Sequence, residues 1–464
     1  MKLLDWAPSW VVLLSAAYLS LNSLRPVHAI ELNVDDKESI KRAAATAAKH
    51  MTKYYTGWRP GDVPGNLPDP YYWWEAGAMF GALVDYWYYT GDDTYNNITT
   101  QAMLHQASPT RNFMPHNQTL SLGNDDQAFW AFAAMQAAER KFPDPPEDQP
   151  QWLALVQGVV NSQIARWDVS KCNGGLNWQI FKLNKGFTYK NTISNGCFFN
   201  LASRLAVYTG NKTYAEWAQK AWDWTVGVGY ILDSWEFIDG AHEEHNCTDL
   251  NMLRWTYNAG VYLYGAANMY KWTNESEYWR ETITNIINGL KIFWYDGGDI
   301  MFEVACEPPD TCEVDQRSFK AYLARWLGAT VQLAPFTREL IEPKLKASAM
   351  GAAKACTGGL DGDECGLRWY TGQCDGSFGV GEQMAALEIF DSILALDADP
   401  PVTNRTGGTS RGDPNAGLDQ PDAIEPDWQY VRAITTADRA GAGIITAILI
   451  LAISGAAYWC TWTE

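Results

Sequence analysis

Long stretches of the chain space their apolar residues with the period of a helix, and patterns typical of strands are scarce. In residues 214–225, apolar side chains recur every three or four positions with polar and charged residues between them. This spacing predicts an amphipathic helix with one buried face. Residues 76–84 and 128–138 are instead apolar or small almost throughout, which predicts helices buried on all sides.

The turn between a buried helix and an amphipathic one repeats along the chain. Residues 89–95 read Tyr-Thr-Gly-Asp-Asp-Thr-Tyr, residues 208–214 read Tyr-Thr-Gly-Asn-Lys-Thr-Tyr, and residues 272–278 are a looser copy. Glycine suits the end of the first helix, and Asp, Asn or Thr caps the next one. With a proline-rich junction at 141–151, the repeat recurs about every 60 residues.

A period of about 60 residues holds two helices, and residues 30–396 have room for about six such hairpins. Fully buried helices that alternate with amphipathic ones predict an all-α (α/α)6 barrel, with an inner ring inside an outer ring. An open solenoid is the alternative. It fits less well, because its helices need not all be so apolar on one ring.

The segments outside the barrel are predicted to be targeting signals and a flexible linker. Residues 1–29 combine Lys2, an apolar run and small residues before a cleavage point, which predicts a secretory signal peptide. Residues 397–439 are rich in Pro, Gly, Asp and Thr and predict a flexible stalk. Residues 440–464 are strongly hydrophobic. The absence of basic residues after them favours a signal for attachment of a glycosylphosphatidylinositol (GPI) anchor over a retained membrane span.

Composition narrows the class of function. The 464 residues include 54 Asp and Glu against 35 Lys and Arg, for a net charge of −19. Such an acidic chain is a poor partner for phosphate backbones, so nucleic-acid binding is excluded. The 23 Trp, 23 Tyr and 16 Phe residues indicate surfaces that stack on sugars, although many of these rings belong in the core.

Cysteines and glycosylation sequons agree with secretion. Eight cysteines precede the hydrophobic tail, which predicts disulfides in an oxidising compartment. The short loops Cys306–Cys312 and Cys365–Cys374 are the pairings we expect. Six Asn-x-Ser/Thr sequons support the same compartment, at Asn97, Asn117, Asn211, Asn246, Asn274 and Asn404.

The sharpest chemical signal is a pair of adjacent carboxylates, Asp125 and Asp126, at the start of a buried helix. Two acids at such a place can serve as nucleophile and general acid/base of a glycosidase, because their mutual repulsion separates their pKa values. A structural role competes with this interpretation. Asn124 suits a helix N-cap, and Gln127 would complete a capping box.

Two further motifs have chemical and structural interpretations. The aromatic residues and carboxylate of segment 71–75 can form a sugar-stacking platform or pack between the rings of helices. His242 and His245 resemble a metal-binding motif, but their spacing is one residue short of the usual arrangement and no third ligand is evident. We therefore expect no metal and no other cofactor.

The sequence resembles glycoside hydrolase family 76, the α-1,6-mannanases, and within it the GPI-anchored cell-wall branch of fungi. The resemblance runs from residue 71 to residue 383, and its most specific part is the segment 124–127. It implies an (α/α)6 barrel and a retaining mechanism with Asp125 as nucleophile and Asp126 as general acid/base. The substrate-binding candidates are Trp73, Trp74, Glu75, Asn124, Gln127, Asp239, Tyr257 and Asn258.

The resemblance also implies partners and a location. The donor would be mannan or a GPI-core glycan, and the acceptor would be water or a hydroxyl group of cell-wall glucan. The second case is transglycosylation, which would move GPI-anchored mannoproteins to the wall. The protein would lie at the outer face of the plasma membrane or in the wall. The alternative function is a non-catalytic, wall-anchored mannan-binding protein.

Overall fold

A computed structural model describes residues 29–418 and 436–462, so the predicted signal peptide lies almost entirely outside the described residues. The described chain is mainly helical. Its helices are α1 (Lys37–Thr52), α2 (Trp73–Thr90), α3 (Asn96–Gln106), α4 (Asn124–Arg140), α5 (Trp152–Ala165), α6 (Thr192–Thr209), α7 (Lys212–Gly227), α8 (Thr256–Trp272), α9 (Glu277–Gly289), α10 (Phe319–Leu333), α11 (Arg338–Ala355), α12 (Val380–Ala395) and α13 (Thr436–Trp462).

Six helices form a closed inner ring. In the order α2, α4, α6, α8, α10 and α12, each packs against the next, and α12 packs against α2. The outer helices lie outside this ring, and each packs against at least one neighbouring inner helix; they are α1, α3, α5, α7, α9 and α11. The fold is therefore the predicted (α/α)6 barrel. Ring closure, which a solenoid lacks, excludes the alternative.

The two kinds of helix have the burial that their sequences predict. Inner helix α4 is buried on all sides over nearly its whole length, whereas outer helix α7 buries one face that includes Tyr214, Ala218 and Trp222. At the ends of two inner helices, Gly91 and Gly210 take left-handed conformations with φ of 81° and 71°. Glycine adopts this conformation without steric cost, so the chain reverses there into the next outer helix.

The two ends of the barrel have connections of different length. Short turns join each inner helix to the following outer helix, while longer segments lead from each outer helix into the next inner one. Two small sheets lie in these longer segments. Strands β1 (Tyr189–Asn191), β2 (Gly240–His242) and β3 (Leu250–Asn251) form an antiparallel sheet, and β4 (Cys356–Gly358) pairs with β5 (Glu364–Cys365).

Charged side chains occupy the interior of the barrel on the C-terminal side of the inner helices. Arg204 contacts Glu139 at 2.6 Å, and Arg325 contacts Glu388 at 2.7 Å. Together with Asp85 they line a small cavity, and all five are at least 93% buried. A buried charge is tolerated only when it is paired, so these contacts hold neighbouring inner helices in one arrangement.

The compact unit extends beyond the predicted boundary at residue 396, which is therefore corrected to include the described residues up to 418. The Asn161 side chain on α5 donates hydrogen bonds to the carbonyl oxygens of Pro414 and Ala416, at 2.9 and 3.0 Å. The Val402 amide likewise donates to the Glu139 carbonyl oxygen at 3.0 Å. Residues 397–418 are thus a strap on the barrel rather than a free stalk, and 419–435 lie outside the described residues.

The C-terminal unit contains helix α13. Residues Arg439–Ala456 have a mean hydropathy of 1.8 and no buried residue, and they are long enough to cross a membrane. Length and composition fit both a membrane span and the hydrophobic part of a GPI signal.

Three disulfides connect described residues, and one prediction about them is wrong. Cys306–Cys312 is present as expected, and Cys172–Cys247 joins two distant loops. Cys365 pairs with Cys356 rather than with Cys374, because strands β4 and β5 place Cys356 and Cys365 directly opposite each other. Cys374 and the buried Cys197 are free thiols.

Candidate active site

A cleft opens at the N-terminal end of the inner ring and has two connected lobes. The inner lobe, of about 300 Å³, is lined by the first residues of five inner helices, among them Trp74, Asp125, Ile193, Tyr257 and Phe319. The outer lobe, of about 640 Å³, extends over Tyr71, Tyr72, Trp73, Gln118 and Lys185. Because helix N-termini carry partial positive charge, the floor of the cleft favours anionic groups.

Asp125 and Asp126 occupy the first turn of α4, with Gly123 as its N-cap. Asp126 Oδ2 accepts a hydrogen bond of 2.6 Å from the Gly123 amide, and Asp125 Oδ1 accepts one of 2.9 Å from the Asp126 amide. The helix therefore begins one residue earlier than predicted: Gly123 is the N-cap, and Asp126 rather than Gln127 accepts the N-cap amide, which is one half of a capping box. Capping fixes both carboxylates while leaving them in the cleft.

The two carboxylates have different proton affinities. Burial raises the pKa of Asp125 to about 6, and a 3.1 Å hydrogen bond from Asn191 Nδ2 to Asp125 Oδ2 opposes the rise. Burial, and then the charge of Asp125, hold the pKa of Asp126 well above its usual range. At a pH between the two pKa values, Asp125 is thus the ionised member of the pair and Asp126 retains its proton.

The β1–β3 sheet positions a third acid, Asp239, in the inner lobe. Asp239 Oδ2 accepts hydrogen bonds from the Tyr189 hydroxyl at 2.6 Å and from Asn251 Nδ2 at 3.2 Å. Burial raises the pKa of Asp239. The sheet register brings these side chains together, because Asn191 of β1 and Asn251 of β3 both lie opposite Gly240 of β2.

Aromatic rings form much of the cleft wall. The Tyr257 ring stacks on Phe319 with centroids 3.9 Å apart, and both rings line the inner lobe. Trp74 lines both lobes and packs against Phe129. Trp73 also lines the outer lobe. Its Nε1 donates a hydrogen bond to Gln106 Oε1, which fixes the orientation of the ring. Trp73, Trp74, Asp239 and Tyr257 are therefore placed where a sugar can contact them.

The other four predicted binding residues do not line the cleft. Glu75 Oε2 accepts the Tyr72 amide at 2.8 Å, and burial raises the pKa of Glu75 to about 8. Asn124 and Gln127 both accept hydrogen bonds from Arg166 behind α4. Asn258 is fully buried within α8. The prediction that these four residues contact substrate directly is therefore corrected. The interior of the barrel encloses Glu75, Asn124, Gln127 and Asn258.

The two histidines of the metal-like motif have separate partners. The His242 ring lies 4.9 Å from the Tyr189 ring, measured between centroids. The exposed His245 Nδ1 forms a short hydrogen bond with Asp249. The chain therefore does not fold them as a pair of ligands on one helical face.

The geometry of the cleft agrees with comparisons to known proteins. The sequence pattern of Glycosyl hydrolase family 76 matches residues 39–405, most of the chain. The chain belongs to glycosyl hydrolase family 76. It is also 47% identical over 442 residues to mannan endo-1,6-alpha-mannosidase DCW1 of Saccharomyces cerevisiae, a match that covers 95% of this chain and 97% of that protein. Family 76 membership makes the chain a glycoside hydrolase rather than a non-catalytic sugar-binding protein.

Solved structures extend the comparison. Dfg5 from Chaetomium thermophilum, in complex with glucosamine, is 47% identical, with a TM-score of 0.81 over 84% of this chain and 98% of that one. An α-1,6-mannanase of Salegentibacter, in complex with α-1,6-mannotriose, is 16% identical, with a TM-score of 0.62 over 77% of this chain and 100% of that one. The latter is described as an inactive variant with two adjacent aspartates replaced by asparagine. At 16% identity, the comparison with this mannanase shows only that the two proteins share a fold.

Several residues that line the cleft could not be predicted from the sequence. Asn191 contacts Asp125, Tyr189 contacts Asp239, and Trp178 lines both lobes. Glu313 and Asp315 also line both lobes. These residues lie in loops or short strands without helical periodicity. The one available signal was their position in the long segments before inner helices, where binding residues concentrate.

Proposed function

We propose that the chain is a retaining glycosidase that acts on α-1,6-linked mannose, with Asp125 as nucleophile and Asp126 as general acid/base. The observation that carries this proposal is the pair of adjacent, buried carboxylates with separated pKa values at the mouth of an inner helix. The substrate class rests on the relatives, which are named mannan endo-1,6-α-mannosidases.

The first step is attack by the Asp125 carboxylate on the anomeric carbon. The bond from that carbon to the leaving oxygen breaks, and the oxygen takes the Asp126 proton. In the second step, the Asp126 carboxylate removes a proton from an incoming hydroxyl group, which displaces Asp125 from the anomeric carbon. Asn191 and the N-terminus of α4 stabilise the Asp125 anion that starts the sequence.

Contacts at Gly123 support the retaining stereochemistry. A Cβ atom placed on Gly123 would lie 2.3 Å from Asp125 Oδ1 and 3.1 Å from Asp126 Oδ2. These two oxygens are therefore no farther apart than the sum of the two distances. Retaining pairs are separated by about 5–5.5 Å, whereas inverting pairs are about 6.5–9.5 Å apart to admit a water molecule.

The two lobes suggest a direction for the bound glycan. Asp125 lines the inner lobe alone, whereas Asp126 lines both. A general acid must reach the leaving oxygen, so the donor sugar occupies the inner lobe and the leaving group the outer one. The same outer lobe then receives the acceptor.

The test replaces each member of the pair with asparagine, which keeps size and removes charge. Asp125→Asn should lower kcat on α-1,6-mannotetraose by at least about 10³-fold, and Asp126→Asn by about 10²–10⁴-fold. Asp93→Asn is the matched control, because Asp92 and Asp93 are also adjacent acids but lie outside the cleft. A folded Asp125→Asn protein with undiminished turnover would refute the assignment. NMR of the first product should show the α-anomer.

We also propose that the acceptor can be a sugar hydroxyl group, so that the enzyme transfers mannan or GPI-core glycans to cell-wall glucan. The larger outer lobe, with its aromatic wall of Tyr71, Tyr72 and Trp73, supports binding of a sugar acceptor. Incubation of an α-1,6-mannan donor with a labelled β-glucan oligosaccharide separates the two outcomes. Transfer predicts a labelled product of higher mass than the acceptor, whereas hydrolysis alone leaves the labelled acceptor at its original mass.

For location, we propose the secretory pathway and the outer face of the plasma membrane or the wall. Three disulfides, the signal-like N-terminus and apolar helix α13 support it. Treatment of intact cells with a phospholipase specific for phosphatidylinositol should release the protein if it carries a GPI anchor. A retained span predicts no release.

A further inference from the structure

A second groove lies away from the catalytic cleft, between α7 and the loops joined by the Cys172–Cys247 disulfide. Its volume is about 630 Å³, within the range of ligand sites. Trp167 and Trp224 line it, with Lys220 and Asp223 beside them. Two indole rings with charged groups at the edge suit a sugar, which has an apolar face and a rim of hydroxyl groups.

Asn246, the first residue of the sequon Asn246-Cys247-Thr248, also lines this groove. Its side chain is exposed, and its Oδ1 accepts a 2.7 Å hydrogen bond from the Cys172 amide. This bond fixes the amide plane and leaves Nδ2, the atom that N-glycosylation modifies, available. The disulfide of the neighbouring Cys247 holds the same wall in place.

One side chain at the groove has an unmet hydrogen bond. Trp167 Nε1 is buried and has no partner among the described residues. Trp224 Nε1, by contrast, donates to the Cys172 carbonyl oxygen at 2.9 Å. Both indole N–H groups are thus buried, so the indoles offer a sugar in the groove only apolar ring surface.

We propose that Asn246 carries an N-linked glycan whose first sugars lie in this groove against Trp167 and Trp224. In the modification, Asn246 Nδ2 bonds to the anomeric carbon of the first N-acetylglucosamine of an oligosaccharide carried on a polyprenol diphosphate. The bond from that carbon to the diphosphate breaks, the polyprenol diphosphate leaves, and Nδ2 loses one proton. The bound glycan covers the parts of the two indoles that line the groove, chiefly at the more exposed Trp167, and stabilises the disulfide-linked loops.

The first experiment uses the full chain secreted by a fungal host and needs no variant. Mass spectrometry of glycopeptides should find Asn246 modified. A native-state digest with an N-glycan-releasing amidase should free the glycan of Asn246 about tenfold more slowly than that of Asn274, which corresponds to about 1.4 kcal/mol of contact. Asn274 is a matched site, since both residues are exposed and both have left-handed φ, 55° and 53°.

Variants then measure the contribution to stability. Asn246→Gln should lower Tm by about 2 °C more than Asn274→Gln, because both variants have similar backbone strain and differ in the groove contact. Thr248→Ala removes the sequon but keeps the Asn246 contact with Cys172, and it should reproduce the loss. An unmodified Asn246 peptide would overturn the proposal. Equal release rates at the two sites, with equal changes in Tm, would overturn the seating of the glycan in the groove.

Discussion

Asn191 offers a direct test of how the site controls the charge of its nucleophile. Its Nδ2 donates to Asp125 at 3.1 Å, while its Oδ1 accepts the Ser194 amide and caps α6. Asn191→Ser keeps a good capping group. The shorter serine side chain does not reach Asp125, so the variant removes one hydrogen bond from the carboxylate and retains the helix cap.

The size of the effect follows from that single bond. A hydrogen bond to a charged group contributes about 1.5–3 kcal/mol. Because one pKa unit corresponds to about 1.36 kcal/mol, its loss should raise the pKa of Asp125 by about one to two pH units. The pKa starts from about 6. Asp125 attacks in its ionised form, so a higher pKa lowers the active fraction of the enzyme on the acid side and changes it little at higher pH.

The assay is the pH dependence of kcat/KM on α-1,6-mannotetraose. The acidic limb of the profile should move to higher pH in Asn191→Ser and stay in place in Asp36→Ser, which exchanges the cap of α1. A uniform loss of activity at every pH, with an unmoved acidic limb, would refute the reasoning. It would mean that Asn191 contributes through substrate contact and not through the proton affinity of Asp125.

Three further changes have expected outcomes. Gly123→Ala should lower kcat by about tenfold or more, because its Cβ would lie 2.3 Å from Asp125 Oδ1 and displace the nucleophile; initial-rate kinetics measure this. Arg204→Met should lower the free energy of unfolding by about 3–5 kcal/mol, since it leaves Glu139 buried and unpaired; denaturant unfolding measures this. Cys374→Ser should leave all disulfides intact in a non-reducing peptide map, because Cys374 is a free thiol.

Each change has a control or a contrary outcome. Gly227→Ala places a Cβ where no atom lies within 4 Å, so its kinetics should equal those of the unchanged enzyme. Lys212→Met breaks the exposed contact with Glu216 and should leave the free energy of unfolding almost unchanged, because solvent screens this pair. Equal losses of stability in Arg204→Met and Lys212→Met would contradict the role of the buried pair. Loss of a disulfide in Cys374→Ser would contradict the observed pairing.

The architecture could be predicted because the helices of the two rings differ in composition. Residues 128–135 contain no charged side chain, because the helix that they form is buried on all sides. Such uncharged segments identify the helices of the inner ring. The strap at 397–418 could not be predicted in the same way. Its Pro, Gly and Asp residues indicate flexibility, but the Asn161 and Gln157 side chains on α5 bind its backbone through long-range hydrogen bonds.

The site was predictable where a helix carries it. Asp125, Asp126, Trp74 and Tyr257 are early residues of inner helices, so periodicity brought them to one end of the barrel. Asn191 was not predictable, because its contact with Asp125 requires strand β1 to meet α4 across 66 positions of sequence. An acidic residue in the first turn of an inner helix does not always face the cleft. Glu75 has the same local setting as Asp126, yet it lies inside the barrel wall.

The unequal connections at the two ends of the barrel have an evolutionary consequence. Insertions and exchanges in the long segments change the surroundings of the cleft without altering the contacts by which the inner helices close the ring. Substrate preference can therefore diverge while stability is preserved, and recombined enzymes that swap these segments between relatives should fold. The segments available for such exchange are 53–72, 107–123, 166–191, 228–255, 290–318 and 356–379.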